Sequence, residues 1–422
     1  MKKFSKGAST HSLMFYSEKI EKCNSGKLTG YFVLHPACTI FAPTGQFWDC
    51  KNVCLYVNLV VMRVCSRCIL TDSYPGISFG KDGLCSICSS NQVFKPLGEE
   101  NLKHLFDKTK AKKRGEYDAL VPLSGGKDSM FILYLAVKVY NLKVMTMTYD
   151  NGFVSQIAKD NMARAVEMMN VKHIVCKPEE DTLRKIYKEM LINSGDICGA
   201  CGIAIRANMF KVASDYKIPM ILLGTSPLEE DSFLPDTTLD ISRFKYILKK
   251  SAEVTKKNVN NFLIYPKMNY FRLSIGKRTG KYAKEVRPLF YIENPSDKEM
   301  GEIIKRELGW QEDTMHEYSK HFDCIAEPFT NYVRHHIYGY ERRVCQYSTM
   351  IRRGEITREK ALAMYTADNI SKKPPVYSTI LGTLDVSDND MEKVMKIKPL
   401  KYERHVSMAN KLFFLLMKLI GR

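Results

Sequence analysis

The chain has 422 residues, with 45% hydrophobic, 26% charged and 11% aromatic side chains, a globular composition that excludes a collagen, a coiled-coil rod and a disordered tail protein. Lys and Arg number 64 against 46 Asp and Glu, a formal charge of +18. That surplus favours an anionic partner (nucleic acid, nucleotide, phosphosugar or anionic lipid) without choosing among them.

Residues 1–61 carry Cys23, Cys38, Cys50 and Cys54 with irregular spacing and no clear period. They read as an extension, with Met62 as the natural start. The N-terminus has lysines but no continuous apolar segment of a signal peptide. No apolar run approaches the ~20 residues that span a bilayer. The chain is expected to be cytoplasmic, with its 13 cysteines reduced and some of them binding metal, because disulfide frameworks belong to small secreted domains.

Residues 62–95 form a cysteine-rich unit. Cys65-Ser66-Arg67-Cys68 and Cys85-Ser86-Ile87-Cys88 are separated by sixteen residues. Each CxxC turn aims two thiolates at one point, and two such turns complete the tetrahedron of a closed, structural zinc site. The turn formers from Thr71 to Gly76 suit a ribbon.

Residues 96–295 alternate between strand and helix patterns. The apolar run 119–123 reads as a buried strand, and 144–149, 171–176 and 218–223 as further strands; 130–140 and 155–169 read as helices. Alternation of this kind predicts a doubly wound parallel sheet with right-handed crossovers, an α/β domain whose ligands sit at the carboxyl ends of the strands. Between the first strand and its helix lies Ser124-Gly125-Gly126-Lys127-Asp128-Ser129. Two glycines permit a sharp turn with open N–H groups, the helix presents its positive end, Lys127 adds a charge, and Ser124 and Ser129 donate hydroxyls. This is an anion cradle, distinct from the P-loop because the glycines are adjacent and the lysine follows directly. Lys127 and Asp128 are the catalytic candidates: Lys127 to stabilise charge on phosphate, Asp128 to orient the loop or hold a metal, unless it is simply the acid of a helix N-terminus.

Residues 243–287 hold thirteen Lys or Arg against Glu253 and Glu285, interleaved with Phe244, Tyr246, Phe262, Tyr265, Tyr270, Phe271 and Tyr282. Such interleaving suits RNA, since backbone charge pairs with stacking rings; a nucleotide sugar or a protein partner would use it as well. The region 296–422 reads as helical, and its arginines between Arg342 and Arg358 either bind sugar-nucleotide phosphates or form a solvated face. His335 and His336 are adjacent and splay apart, so they read as surface or satisfied residues. The basic–apolar tail from Lys411 to Ile420 reads as a helix docked on the protein's own core.

The loop Ser124–Ser129 after a hydrophobic strand resembles that of the ATP pyrophosphatase superfamily, which implies an adenine-nucleotide hydrolase-like, HUP-type fold. It also implies ATP and Mg²⁺, transfer of AMP to an acceptor oxygen, and release of pyrophosphate. Asp150-Asn151-Gly152 and Gly224-Thr225-Ser226 then fall where such proteins bind nucleotide, which adds Asp150, Gly224 and Thr225 to the expected contacts. The run from Cys65 through Ile77-Ser78-Phe79, then Asp82 to Cys88, looks like the head of N-acetyl sugar amidotransferases of surface-polysaccharide (lipopolysaccharide O-antigen) and nonulosonic acid pathways. The resemblance continues through Gly339-Tyr340-Glu341-Arg342-Arg343 and Ile351 to Glu359, covering about residues 63–365. It implies conversion of the acetamido group of a nucleotide-linked N-acetyl sugar into an acetamidino group. Ammonia would come from separate glutaminase subunits resembling the histidine-pathway synthase; the chain shows no glutaminase domain of its own.

Sulfur-inserting members of the superfamily carry a CxxC where this chain has Cys198-Gly199-Ala200-Cys201, just before a helix, joined by a distant third cysteine. Cys324 is the candidate. The three either hold an iron–sulfur cluster or are small buried residues. A tRNA-thiolating enzyme is the alternative function. Against it, those enzymes carry a Gly-His-Asn motif where this chain has Gly224-Thr225-Ser226, and no second ribbon follows. A non-enzymatic zinc adaptor would not need an intact phosphate loop.

Overall fold

The computed structural model describes residues 39–41, 47–49, 63–74, 76–90, 95–226, 241–249, 251–263, 276, 281–312 and 323–397. The tail at 411–420, Tyr265, Tyr270, Phe271 and most of the expected extension lie outside them. Within the extension, β1 (Thr39–Phe41) pairs antiparallel with β2 (Phe47–Asp49). The cysteine unit folds through bridges Val64–Thr71 and Phe79–Cys85 and ends in α1 (Ser86–Ser90). Then come α2 (Glu99–Lys110), β3 (Ala119–Pro122), α3 (Lys127–Tyr134), β4 (Val144–Tyr149), α4 (Gln156–Met169) and β5 (Lys172–Cys176). They are followed by α5 (Glu180–Ser194), α6 (Cys198–Asp215), β6 (Met220–Leu222), α7 (Ile241–Leu248), α8 (Lys256–Leu263) and β7 (Lys284–Val286). The C-terminal region is helical: α9 (Asp297–Leu308), α10 (Glu327–Tyr338), α11 (Arg342–Arg352), α12 (Arg358–Asp368), α13 (Tyr377–Leu384) and α14 (Asp388–Val394).

Five strands form one parallel sheet in the order β5-β4-β3-β6-β7. The chain runs outward from β3 through β4 to β5, then returns to the other side of β3 as β6 and β7. The strand order therefore reverses between β3 and β6, where open α/β sheets leave a crevice for ligands. β4 and β6 are buried along their whole length, as strands covered on both faces are; Thr146 and Thr148 of β4 satisfy their hydroxyls on the Lys172 and Leu123 carbonyls at 3.1 and 2.8 Å.

Local chemistry sets the helix ends. Ser155 Oγ accepts the Ala158 N–H at 3.2 Å to start α4, and Asn170 closes it in the left-handed conformation. Ser296 and Glu299 form a reciprocal capping box on α9, a motif worth about 1 kcal/mol. The helix after the phosphate loop begins at Lys127, three residues earlier than its apolar pattern suggests, and ends in a π-helical turn at Leu135–Val139.

Three features depart from the sequence reading. Cys198 and Cys201 lie in the first turn of α6 rather than before it. The basic stretch contains a strand of the sheet, β7. Its Phe244 and Phe262 are about 1% exposed and stack on each other at 5.7 Å, so burial in a core of α5, α6, α7, α8, α10, α13 and α14 claims them instead of a nucleic-acid surface.

The cysteine unit does not stand alone. Its buried residues share one core with Val344, Tyr347 and Met350 of α11 and with Ala361 of α12. Ile69 N donates to Ser348 Oγ at 3.3 Å, Tyr74 OH to the Glu341 carbonyl at 2.5 Å, and Arg358 Nε to the Cys68 carbonyl at 3.1 Å. Small units bury too little apolar surface for independent stability, and here distant helices supply the rest. Among the described residues no helix is long and apolar enough to cross a membrane.

Candidate functional site

The carboxyl ends of β3, β4 and β6 carry Ser124–Ser129, Asp150–Gly152 and Gly224–Ser226 to one edge of the sheet. Gly125 has φ +85°, and a Cβ there would lie 2.5 Å from the Ala158 carbonyl oxygen, so only glycine fits. The turn is internally braced: Ser124 Oγ accepts Gly126 N–H at 3.2 Å and Ser129 Oγ donates to the Gly126 carbonyl at 2.9 Å. Trp310 Nε1 takes up the Gly125 carbonyl at 3.0 Å. A Cβ on Gly224 would lie 3.0 Å from Asp128 C and Ser129 N, so the turn after β6 is seated directly on the first turn of α3. Asp150 and Asn151 brace their own turn, accepting Gly152 N–H at 3.0 Å and Phe153 N–H at 2.8 Å.

Lys127 is already neutralised by protein. Its Nζ lies 2.5 Å from Asp128 Oδ1 and 3.0 Å from Asp297 Oδ1. Burial works against its charge, but the two carboxylates raise its pKa above the usual lysine range. Asp297 Oδ1 also meets Arg353 at 3.5 Å, and Arg353 pairs with Glu355 at 2.9 Å. Asp297 escaped the sequence reading because no motif marks it; Arg353 belongs to the arginine-rich stretch expected to bind phosphates or face solvent, and it pairs with these acids instead.

A third acid was missed as well. Asp323 sits on a short antiparallel strap: its carbonyl accepts Ser155 N–H at 3.0 Å, Ile325 N donates to Phe153 O at 2.9 Å, and Val154 bridges Cys324. The strap turns the Asp323 carboxyl onto the loop, 3.3 Å from where a Cβ on Gly126 would stand. Burial raises its pKa to about 6, with a hydrogen bond from Ser124 opposing the shift.

The same strap delivers Cys324 to the CxxC of α6. Burial, Cys198 and Cys201 all raise the Cys324 thiol. Cys201 is pushed up by burial to about 11, against Asn151 and Tyr187, and its sulfur accepts Asn151 Nδ2 at 3.4 Å. The hydroxyls of Tyr149 and Tyr187 are buried nearby and reach no oxygen or nitrogen acceptor among the described residues. Hydroxyls buried beside a thiol cluster, with no better acceptor than the Cys201 thiol, fit a ligand there.

Cys65, Cys68, Cys85 and Cys88 converge in the ribbon. All four are buried, with sulfurs within 4.8 Å of one another. Cys68 and Cys85 sulfurs are 3.8 Å apart, the edge of a tetrahedron drawn about an ion at roughly 2.3 Å. The N–H groups of Cys68, Leu70, Cys85 and Cys88 point at sulfur at 3.3–3.5 Å, which favours thiolates. The four residues form a closed metal site. Among the described residues no other group of three such ligands is as tight, so Cys198, Cys201 and Cys324 are the wider set.

The arginine-rich stretch divides among protein partners. Arg343 meets Glu327 at 3.2 Å, Arg353 meets Asp297, and Arg358 holds the ribbon carbonyls. His335 is buried, with burial and His336 lowering its pKa to about 4; His336 Nδ1 engages the Tyr332 carbonyl at 2.8 Å.

Residues 302–415 match the family model described as LPS biosynthesis protein WbpG-like, C-terminal domain. No curated protein matches the chain. Among solved structures, the U34-tRNA thiolase NcsA from Methanococcus maripaludis with its 4Fe-4S cluster is 16% identical over 76% of this chain and 95% of that one, at a TM-score of 0.30. The NH3-dependent NAD synthetase from Campylobacter jejuni subsp. jejuni is 11% identical over 50% of this chain and 91% of that one, at 0.27. NMN synthetase from Francisella tularensis is 15% identical over 51% of this chain and 86% of that one, at 0.26. At such scores the fold assignment rests on the chain's own strand order and loop.

Proposed function

We propose that the chain is an ATP-dependent amidotransferase of surface-glycan assembly, converting the acetamido group of a nucleotide-linked N-acetyl sugar into an acetamidino group. One observation carries the reading: a region matching an LPS-biosynthesis family reaches back through Asp297 and Arg353 to the anion cradle after β3. The amide oxygen attacks the α-phosphorus of ATP and pyrophosphate leaves. Ammonia adds to the activated carbon and loses a proton, and AMP departs with the former amide oxygen. An amide oxygen is a poor leaving group, and adenylation makes it a good one. The Gly125 and Gly126 amides, Ser124, Ser129 and the start of α3 would bind phosphate oxygens; Gly224 and Thr225 would line the crevice beside them. Mg²⁺, when bound with the nucleotide, neutralises phosphate charge, with Asp128 and Asp150 as the acids of the site. Ammonia would come from separate glutaminase subunits.

The ribbon would hold zinc in a structural role, since four protein thiolates leave no open position. Cys198, Cys201 and Cys324 would hold an iron–sulfur cluster. That triad favours a second reading, sulfur insertion into tRNA, in which sulfur displaces AMP from an activated base. An assay for AMP by mass spectrometry separates the two, with the purified protein given ATP, Mg²⁺, ammonium and either a panel of nucleotide-linked N-acetyl sugars or bulk tRNA. AMP formed with a sugar, together with an amide-to-amidine mass change, is the expected result. AMP formed only with tRNA would replace it with thiolation.

A further inference from the structure

Two tyrosines stand beside the thiol triad, the Tyr149 hydroxyl with no partner among the described residues and the Tyr187 hydroxyl engaged only by the weak acceptor Cys201. Tyr149, the last residue of β4, is 6% exposed and Tyr187, on α5, is 1% exposed; among the described residues neither hydroxyl reaches an oxygen or nitrogen acceptor. A buried polar group without a good acceptor is costly, so two of them in one wall point to a place where something else is bound. The rings have little freedom to turn away. Phe153 stacks on Tyr187 at 6.0 Å and Phe262 meets it edge-on at 6.2 Å, within the same apolar cluster that packs against Cys198, Cys201 and Cys324.

What is missing is an acceptor next to sulfur. Cys201 and Cys324 both bear electrostatically on Tyr187, and Cys201 bears on Tyr149. Asn151 Nδ2 already donates to Cys201 Sγ at 3.4 Å. An amide N–H and the Tyr187 hydroxyl therefore bear on the Cys201 sulfur, and the Tyr149 hydroxyl is buried beside it, with Asp150 and Cys176 also near. Neutral thiols are weak acceptors, whereas thiolates and inorganic sulfide bound to iron are electron-rich and accept such bonds. The wider spacing of these cysteines than of the ribbon set suits a cluster rather than a single ion.

We propose that Tyr149 and Tyr187 are O–H···S donors to an iron–sulfur cluster held by Cys198, Cys201 and Cys324, and that they set its reduction potential. The proposal rests on the cluster reading given above. Hydrogen bonds to cluster sulfur stabilise the more negative, reduced state, so the two hydroxyls hold the potential up.

The test uses the full chain, reconstituted anaerobically with ferrous iron and sulfide. Wild type, Tyr149→Phe, Tyr187→Phe and the double variant are compared by iron and sulfide content, visible absorption, electron paramagnetic resonance and redox titration. Removing only an oxygen leaves each ring's packing in place, and circular dichroism checks the fold. The expected result is equal cluster content with a more negative potential in each single variant, and a larger shift in the double. Potentials equal to wild type in cluster-loaded variants would overturn the tyrosine assignment and leave the cluster standing. A wild-type protein that takes up no cluster would overturn both, and the failure would be visible before any variant is made.

Discussion

Lys127 Nζ lies 3.0 Å from Asp297 Oδ1, which ties the lysine of the phosphate loop to the first residue of a helix far downstream. The same carboxylate oxygen meets Arg353 at 3.5 Å. The C-terminal region thus holds the loop through a shared acid, and the two cations stand close together beside the crevice. A double-mutant cycle with Lys127→Met and Asp297→Asn is expected to give a coupling of at least about 1 kcal/mol in urea unfolding, because these side chains are only partly exposed. Additive effects would show that the pair does not brace the loop.

Asp323 sets a carboxyl against Ser124 and Gly126, where nucleotide phosphates are proposed to bind. Like charges at that distance repel. Asp323→Asn is therefore expected to tighten binding of ATP without added metal by about fivefold to tenfold at pH 7.5, measured by calorimetry. The gain should shrink at pH 5, below the raised pKa of about 6, where the wild-type carboxyl is largely neutral. Equal gains at both pH values would place the carboxyl outside the phosphate site.

Glu341 is fully buried. Its carboxylate accepts the N–H groups of Arg343 and Val344 at the start of α11. Burial nevertheless raises its pKa to about 8, with those bonds and Arg343 opposing. A carboxyl raised above its unfolded value, near 4.3, contributes stability that is complete below the unfolded pKa and lost as pH rises through the folded one. Stability should thus fall between pH 5 and pH 8, and Glu341→Gln should flatten that slope. Thermal unfolding across this range checks both; a slope unchanged in the variant would assign it to other groups.

The ribbon shares its core with α11 and α12, so losing its metal should be felt far along the chain. Cys65→Ser with Cys88→Ser is expected to abolish tight zinc binding, measured by elemental analysis. It should also speed hydrogen exchange in α11 and α12 as well as in residues 63–90. Exchange confined to 63–90 would show the two to be energetically separate.

The signals legible in sequence were local ones. Strand β4 is legible with its bounds because the β-branched Val144, Thr146 and Thr148 alternate with Met145, Met147 and Tyr149 directly before the turn residues Asp150-Asn151-Gly152. The loop after β3 was legible because its turn needs glycine at 125 whatever surrounds it. The apolar pattern of the helix at 127–134 begins only at Met130 because Lys127, Asp128 and Ser129 are polar, although a helix N-terminus accepts such residues. Phe244 and Phe262 misled because an aromatic among lysines looks the same whether the ring stacks on a base or on another ring inside.

The cysteine spacing, the anion loop and the alternation of strand with helix are determined by the sequence itself, since each depends on residues a few positions apart and on backbone geometry that recurs in any context. The tertiary structure decided which distant groups meet. It placed Asp297 and Arg353 behind Lys127, laid Asp323 and Cys324 along Val154 beside the loop and the α6 thiols, and buried two tyrosine hydroxyls near those thiols. Those meetings depend on how helices and strands pack in three dimensions, and hydrophobic packing is non-directional, so no short-range pattern records them.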